Sequence, residues 1–137
     1  MSDFILKDFK AEEHFEEVST WWKFWRWTNH PTPALLSTIG YIVEKDGLNL
    51  CAGWLYTTNS GMAFIEFVVK NPFAEEDNSS VLFLIEHLFQ RAVAEGAVIA
   101  WSVHKNNFLA TMLEQCAFKP AAQNYTWCFR IAGGAHG

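Results

Sequence analysis

Met62-Ala63-Phe64-Ile65-Glu66-Phe67-Val68-Val69 is apolar on both faces of an extended strand, with Glu66 its one charge. A strand that is apolar on both faces is covered on both, so this run predicts a central strand with helices above and below. Two strand-like runs precede it, Leu36 to Glu44 and Leu48 to Thr57. Asp46-Gly47 joins them as a hairpin, because glycine accepts the positive φ such turns require. Asn59-Ser60-Gly61 makes the next turn, and the three runs predict an antiparallel meander. After the polar loop Asn71 to Ser80, Val81 to Glu95 predicts a helix. Val81, Ile85, Leu88 and Ala92 form its stripe, with Leu82, Phe89 and Val93 beside them. Gly96 stands where a helix C-terminal cap belongs. Ala97 to Val103 is a short apolar strand, so strand, helix and strand predict a right-handed parallel crossover.

The outer segments complete the order. Phe4 to Phe9 alternates as a first strand. Ala11 to Trp22 is amphipathic: Phe15, Val18 and Trp22 recur at helical spacing, and Glu12, Glu13, Glu16 and Glu17 face water. This helix is expected to reach about Thr28, before Asn29, Pro31 and Pro33 stop it. Asn106 or Asn107 caps a last helix to Cys116, Phe118-Lys119-Pro120 breaks it, and Tyr125 to Ile131 alternates as the final strand. The order is β, α, β, β, β, α, β, α, β. It predicts an α/β fold whose mixed sheet begins as an antiparallel meander, continues through a parallel β-α-β crossover and carries helices on both faces. Residues 1–132 are expected to form one domain, and 133–137, Gly-Gly-Ala-His-Gly, a flexible tail.

Composition narrows the function classes. Ten basic and 15 acidic residues give the 137-residue chain a formal charge of −5, which argues against nucleic acid or an anionic membrane as a partner. No apolar run approaches the ~20 residues that span a bilayer. The first ten residues carry charges throughout, unlike a secretory signal, so the expected location is the cytoplasm. Cys51, Cys116 and Cys128 lack metal-ligand spacing and read as packed thiols. His14, His30 and His87 likewise form no metal set. Twelve phenylalanines, seven tryptophans and three tyrosines are enough aromatic surface for a core or a binding wall.

Two segments carry a family resemblance. Phe64-Ile65-Glu66-Phe67-Val68-Val69-Lys70-Asn71-Pro72, followed by a loop and an apolar helix, resembles the fourth strand and Val-x-Pro of the GNAT N-acyltransferases. Asn106 and the tail Glu114-Gln115-Cys116-Ala117-Phe118-Lys119-Pro120 resemble that family's closing motif. The resemblance implies acetyl transfer from acetyl-CoA to a small-molecule or protein amine. It implies that Val68, Val69 and Lys70 lend backbone groups to the pantetheine arm, and it places Asn106 in the cofactor site.

The chain departs from the family in two places. The family's basic, glycine-rich pyrophosphate loop is here Glu75-Glu76-Asp77-Asn78-Ser79-Ser80. This leaves Asn78, Ser79 and Ser80 as the polar groups for a pyrophosphate, and three carboxylates that would repel one. The same acidic residues, with Asn78 or Ser79 as cap, read more simply as support for the helix N-terminus. At the position where the family often has a tyrosine acid stands Leu113, leaving Tyr125 and Ser102 as substitutes.

Other candidates follow from position. By the resemblance Glu66 is the general base; by its residue type alone it could equally pair with Arg91 or Arg130. His104 and Lys105 end a strand, where ligands of open α/β sheets gather, or form a solvated loop pair. Trp22, Trp25 and Trp27 belong to an aromatic cluster that would be the acceptor wall in the family and would otherwise be core. Lys23 and Arg26 between the rings could be cation–π partners. Two functions remain: an N-acyltransferase, or a GNAT-fold binding or structural protein without activity, for instance of viral or mobile-element origin.

Overall fold

The structure, a computed structural model, describes residues 3–27, 30–75, 78–104, 107–120 and 126–132; for 103–104, 107–110, 120 and 126–129 it gives the backbone path. In chain order the elements are β1 (Ile5–Asp8), α1 (Ala11–Phe24), β2 (Ile39–Lys45), β3 (Leu48–Thr57), β4 (Met62–Lys70), α2 (Ser79–Ala94), β5 (Ile99–His104), α3 (Asn107–Gln115), β6 (Lys119–Pro120) and β7 (Thr126–Ile131). The strands form one sheet in the order β1-β2-β3-β4-β5-β7-β6. Only β4 and β5 pair in parallel; every other neighbouring pair is antiparallel. The meander and the parallel crossover are therefore as the sequence predicts. β6 is an addition. Lys119-Pro120 reads as a helix breaker, yet it pairs with β7 at the sheet edge, where a proline's missing N–H costs no ladder bond.

The turns follow local chemistry. Asp46 and Gly47 both adopt positive φ, 53° and 79°, the geometry of a type I′ hairpin. Gly96 has φ 98°, and the Ala97 N–H reaches back to the Ala92 carbonyl, so α2 ends as a glycine-capped helix. The start of α1 is closed differently. His14 Nδ1 accepts the Lys10 backbone N–H at 2.9 Å, as a capping-box side chain would.

Two cores sandwich the sheet. On one face α2 and α3 pack Leu84, Ile85, Leu88 and Leu113 against Val43, Leu55, Ile65, Val68 and Ala100. On the other, α1 packs Val18, Trp21 and Trp22 against Ile42, Ala52, Trp54 and Val69. The expected stripe of α2 needs one change: Leu84 is fully buried, while Val93 is 38% exposed. On α1, Glu17 does not face water but accepts a bond from Asn49 at 2.7 Å. His87 is half-buried, its ring 4.2 Å from that of Phe83. Cys51 and Cys116 are buried free thiols. Burial, then the nearby Glu86 charge, pushes the Cys116 thiol up to about 11, partly offset by Arg130.

Of the described glycines, Gly40 has the least room for a side chain. A methyl there would collide with Cδ1 and Nε1 of the Trp54 indole, and Trp54 is itself fully buried between Trp22 and Phe9. Gly40→Ala should therefore lower the free energy of unfolding by about 1–3 kcal/mol, measured by urea titration. An unchanged midpoint would show that the indole is free to move.

Candidate active site

The pairing of β4 with β5 stops early. Met62, Ala63 and Phe64 align with Ile99, Ala100 and Trp101. Beyond that row β4 runs on to Lys70 and β5 to His104, with no further register between them among the described residues. Two parallel strands that part in this way leave a wedge-shaped opening, edged by the backbone of β4.

A bulge in β4 shapes the opening. Ala52 aligns with Val69, but Trp54 aligns with Glu66. Gly53 thus faces two residues, Phe67 and Val68. Phe67 takes φ 61°, a left-handed conformation that costs a non-glycine residue roughly 1–2 kcal/mol. Neighbours hold it there. The Phe67 ring meets Tyr56 edge-on at 6.0 Å. Val68 turns to the α2 face, where a Cβ on Gly53 would lie 3.0–3.2 Å from Leu88, Val68 and Leu84. The absent side chain of Gly53 lets the bulge and α2 approach.

The bulge also sorts the side chains. Ile65 and Val68 join the α2 core, whereas Glu66 stands opposite Trp54 on the α1 face. Glu66 is half-buried. The arginines that its residue type suggested have other partners among the described residues. Arg91 bonds Glu95 and Tyr41, both at 2.9 Å; Arg130 bonds Glu86 at 2.7 Å and lies 3.8 Å over the Phe89 ring. Both guanidiniums belong to the α2 side of the sheet. Among the described residues, Tyr56 senses the Glu66 charge. Burial raises the Tyr56 pKa, and the Glu66 charge adds to it against a lowering backbone bond at Ser37. The Tyr56 hydroxyl donates to the Leu35 carbonyl at 2.8 Å.

At the far end of β4 the chain turns on Asn71, which is buried. Its amide donates to the Asn49 carbonyl and its oxygen accepts the Phe73 N–H, both at 2.8 Å. This anchor went unnoticed in the sequence, where Asn71 reads as loop; an Asn directly before a proline was the available signal. The helix N-terminus that follows also differs from expectation. Asn78 is the N-cap but makes no side-chain cap bond. Its Oδ1 instead accepts from Lys70 Nζ at 3.2 Å. The acidic loop therefore does have a cation at its mouth, supplied by the strand. Ser80 is fully buried, and its hydroxyl finds no partner among the described residues. Ser79 and Glu75 are exposed; Glu76 and Asp77 lie outside the described residues. Of the backbone candidates, Val68 and Val69 are buried and Lys70 is half-buried.

The remaining candidates divide. Trp22 is fully enclosed, stacked on His30 at 5.5 Å and packed on Trp54 at 5.5 Å, so it is core and not a surface a substrate could touch. Trp25 and Trp27 stay open, 48% and 37% exposed. Trp25 Nε1 donates to the Lys70 carbonyl at 2.8 Å, tying the end of α1 to the end of β4. Lys23 and Arg26 are exposed; the cation–π contacts among the described residues are Lys45 over Phe4 and Arg130 over Phe89. Ser102 is buried on β5, two residues from Ala100 and so on the α2–α3 face. Leu113 is fully buried in that core, which leaves no proton donor where the family's tyrosine would stand. His104 ends β5. Asn106, Lys105 and Tyr125 lie outside the described residues; among the described ones no group of His, Cys, Asp or Glu could hold a metal ion. Among the described residues no helix is long and apolar enough to cross a membrane.

Comparison with solved structures identifies the architecture. The chain superposes on Neisseria gonorrhoeae N-acetylglutamate synthase, complexed with coenzyme A and N-acetyl-glutamate, with a TM-score of 0.76 at 13% identity, covering 96% of this chain and 35% of that one. It spans only about a third of the synthase. A probable acetyltransferase from Staphylococcus epidermidis gives 0.74 at 13% identity, covering 94% and 99% of the two chains. A GNAT family acetyltransferase from Brucella melitensis in complex with acetyl-CoA gives 0.69 at 13%, covering 97% and 90%. No protein-family model and no curated protein matches the sequence. The chain thus has the GNAT acetyltransferase fold, at a sequence distance where the likeness speaks for the fold alone.

The strained residue offers a test of the bulge. Replacing Phe67 by Ala or by Gly removes the same ring contact, but only glycine adopts φ 61° without strain. Phe67→Gly should be more stable than Phe67→Ala by about 1 kcal/mol in thermal or urea unfolding. The opposite order, usual for a strand, would mean that the bulge relaxes away.

Proposed function

We propose that this chain is an N-acetyltransferase that transfers an acetyl group from acetyl-CoA to an amine. The observation that supports this most is the parting of β4 and β5 beside a bulge that leaves Glu66 on the α1 face, just beyond the last paired row. The coenzyme, when bound, supplies an acetyl group activated as a thioester. Val68, Val69 and Lys70 would hold its pantetheine arm through backbone groups. Lys70 and Asn78 would meet its phosphates at the α2 N-terminus, which favours anions.

The fit is good along the strand and poorer at the phosphates. The loop lacks the glycines that let backbone N–H groups close around an anion, and the exposed Glu75 opposes one, although water screens it. Glu66 has the role of base: its carboxylate takes a proton from the acceptor ammonium, directly or through one water, and so frees the nitrogen lone pair. Partial burial suits a carboxylate to that task. The proton for the leaving sulfur comes from Tyr125, Ser102 or solvent. The buried Leu113 favours a second reading, a binding protein that keeps the fold without the chemistry.

Calorimetric titration should find acetyl-CoA binding weaker than low-micromolar, and Lys70→Ala should weaken it about tenfold further, the loss of ~1.4 kcal/mol. No detectable binding, with the fold intact, would support the second reading.

Glu66→Gln should lower turnover by roughly 10²–10⁴-fold with the melting temperature nearly unchanged. Activity that survives the change would remove Glu66 from the mechanism; a loss of stability instead would mark it as a structural partner.

A further inference from the structure

On β3, β4 and β5 three aromatic residues stand in one cross-strand row at the root of the opening, and the register continues to Phe129 on β7. Tyr56 on β3 aligns with Phe64 on β4, and Phe64 aligns with Trp101 on β5. Glu66, two residues beyond Phe64, shares their face. Tyr56, Phe64, Glu66, Phe67 and Trp101 are all half-buried, unlike the enclosed Trp21, Trp22 and Trp54 nearby. The α1 core ends at Tyr56 and Phe67, and neither Phe64 nor Trp101 belongs to either buried cluster. The row is therefore a partly open aromatic floor that ends where the strands separate, with a carboxylate at its far side.

From this floor, and resting on the acetyl-transfer reading above, we infer that the acceptor is an arylalkylamine without an anionic group. Its ring lies on the Tyr56–Phe64–Trp101 row and its nitrogen reaches Glu66. Neighbouring strands are ~4.8 Å apart, so three rings in a row make a surface about as wide as one aryl ring with a short alkyl arm. π faces and ring edges attract both an aryl group and an ammonium. The polar tip of the floor is already engaged, because the Tyr56 hydroxyl donates to Leu35. Charge selects further. Glu66 favours a cation and opposes a carboxylate. Among the described residues, Lys7 lies on this face but at the β1 edge, paired with Glu44, Arg91 and Arg130 pair with Glu95 and Glu86 on the α2 side, and Lys70 reaches Asn78, so none of these four stands beside Glu66 to receive an amino acid's carboxylate.

Three probes separate these contributions: 2-phenylethylamine, phenylalanine (the same arm with a carboxylate) and propylamine (the arm without the ring). Binding to the full chain is measured by calorimetry or ligand-observed NMR, and acetyl transfer from acetyl-CoA separately. Phenylethylamine should bind roughly tenfold more tightly than propylamine and roughly tenfold more tightly than phenylalanine. Phe64→Leu and Trp101→Leu should each bring phenylethylamine towards propylamine and leave acetyl-CoA binding as it was. Equal binding of phenylalanine, or of propylamine, overturns the inference. Binding of phenylethylamine without transfer upholds the amine site and sinks the transferase reading. Transfer to phenylalanine or propylamine with no preference for phenylethylamine upholds the transferase reading and sinks the inference.

Discussion

One extra residue in β4 governs the rest of the molecule. In a regular strand, side chains alternate, so Ile65, Phe67 and Val69 would share one face and Glu66 and Val68 the other. The α2 core would then receive either a carboxylate or the Phe67 ring. The bulge resolves this. Ile65 and Val68 both reach α2, while Glu66 and Val69 both face α1. The strain at Phe67 is small against the cost of burying an unpaired carboxylate. The same irregularity coincides with the loss of pairing to β5, since a bulged strand bends and twists away from its partner. Core packing and the opening beside β4 thus have a common origin, and Gly53 makes it sterically possible.

The helix mouth shows a different balance. An acidic loop in front of α2 stabilises that helix, but it leaves little for an incoming phosphate. The chain places its cation one element earlier, on β4, where Lys70 reaches Asn78. Trp25 binds the carbonyl of the same lysine. The ends of α1, β4 and α2 are linked through this one residue. Any ligand that engages Lys70 is therefore also coupled to the aromatic end of α1.

Much of the architecture was legible because its signals are local. Asp46-Gly47, Gly96 and the apolar periods of β3, β4 and α2 each name one conformation. The bulge was not legible, because Phe67 carries no glycine at the left-handed position and only the cross-strand register reveals the extra residue. Leu84 and Val93 exchange places because helix phase is set by the sheet beneath and not by hydrophobicity alone. Trp22 and Trp25 lie one turn apart, yet one is enclosed and the other open; what separates them is the packing of Trp54 and His30, distant in sequence. Glu66 was legible as a lone charge in an apolar run. Its aromatic surroundings were not, because Tyr56 and Trp101 come from strands whose alignment no pattern fixes.

The aromatic residues serve the two faces in different ways. Trp21, Trp22 and Trp54 fill the α1 core, where shape matters and the indole N–H groups of Trp22 and Trp54 are left without partners among the described residues. A core normally avoids that cost, so their bulk is evidently what the thin helix–sheet layer requires. Tyr56, Phe64 and Trp101 lie only half-buried at the point where backbone pairing fails. Exposed apolar surface beside an opening gains nothing for the fold. A fold of this kind leaves the same backbone wedge whatever lines it; the lining is where a sequence this distant from its structural neighbours is free to differ. At one end of the wedge the loop before α2 carries carboxylates and no glycine; at the other a half-buried carboxylate stands beside a row of half-buried rings, and under the acetyl-transfer proposal it is this second end that would tell one acceptor from another.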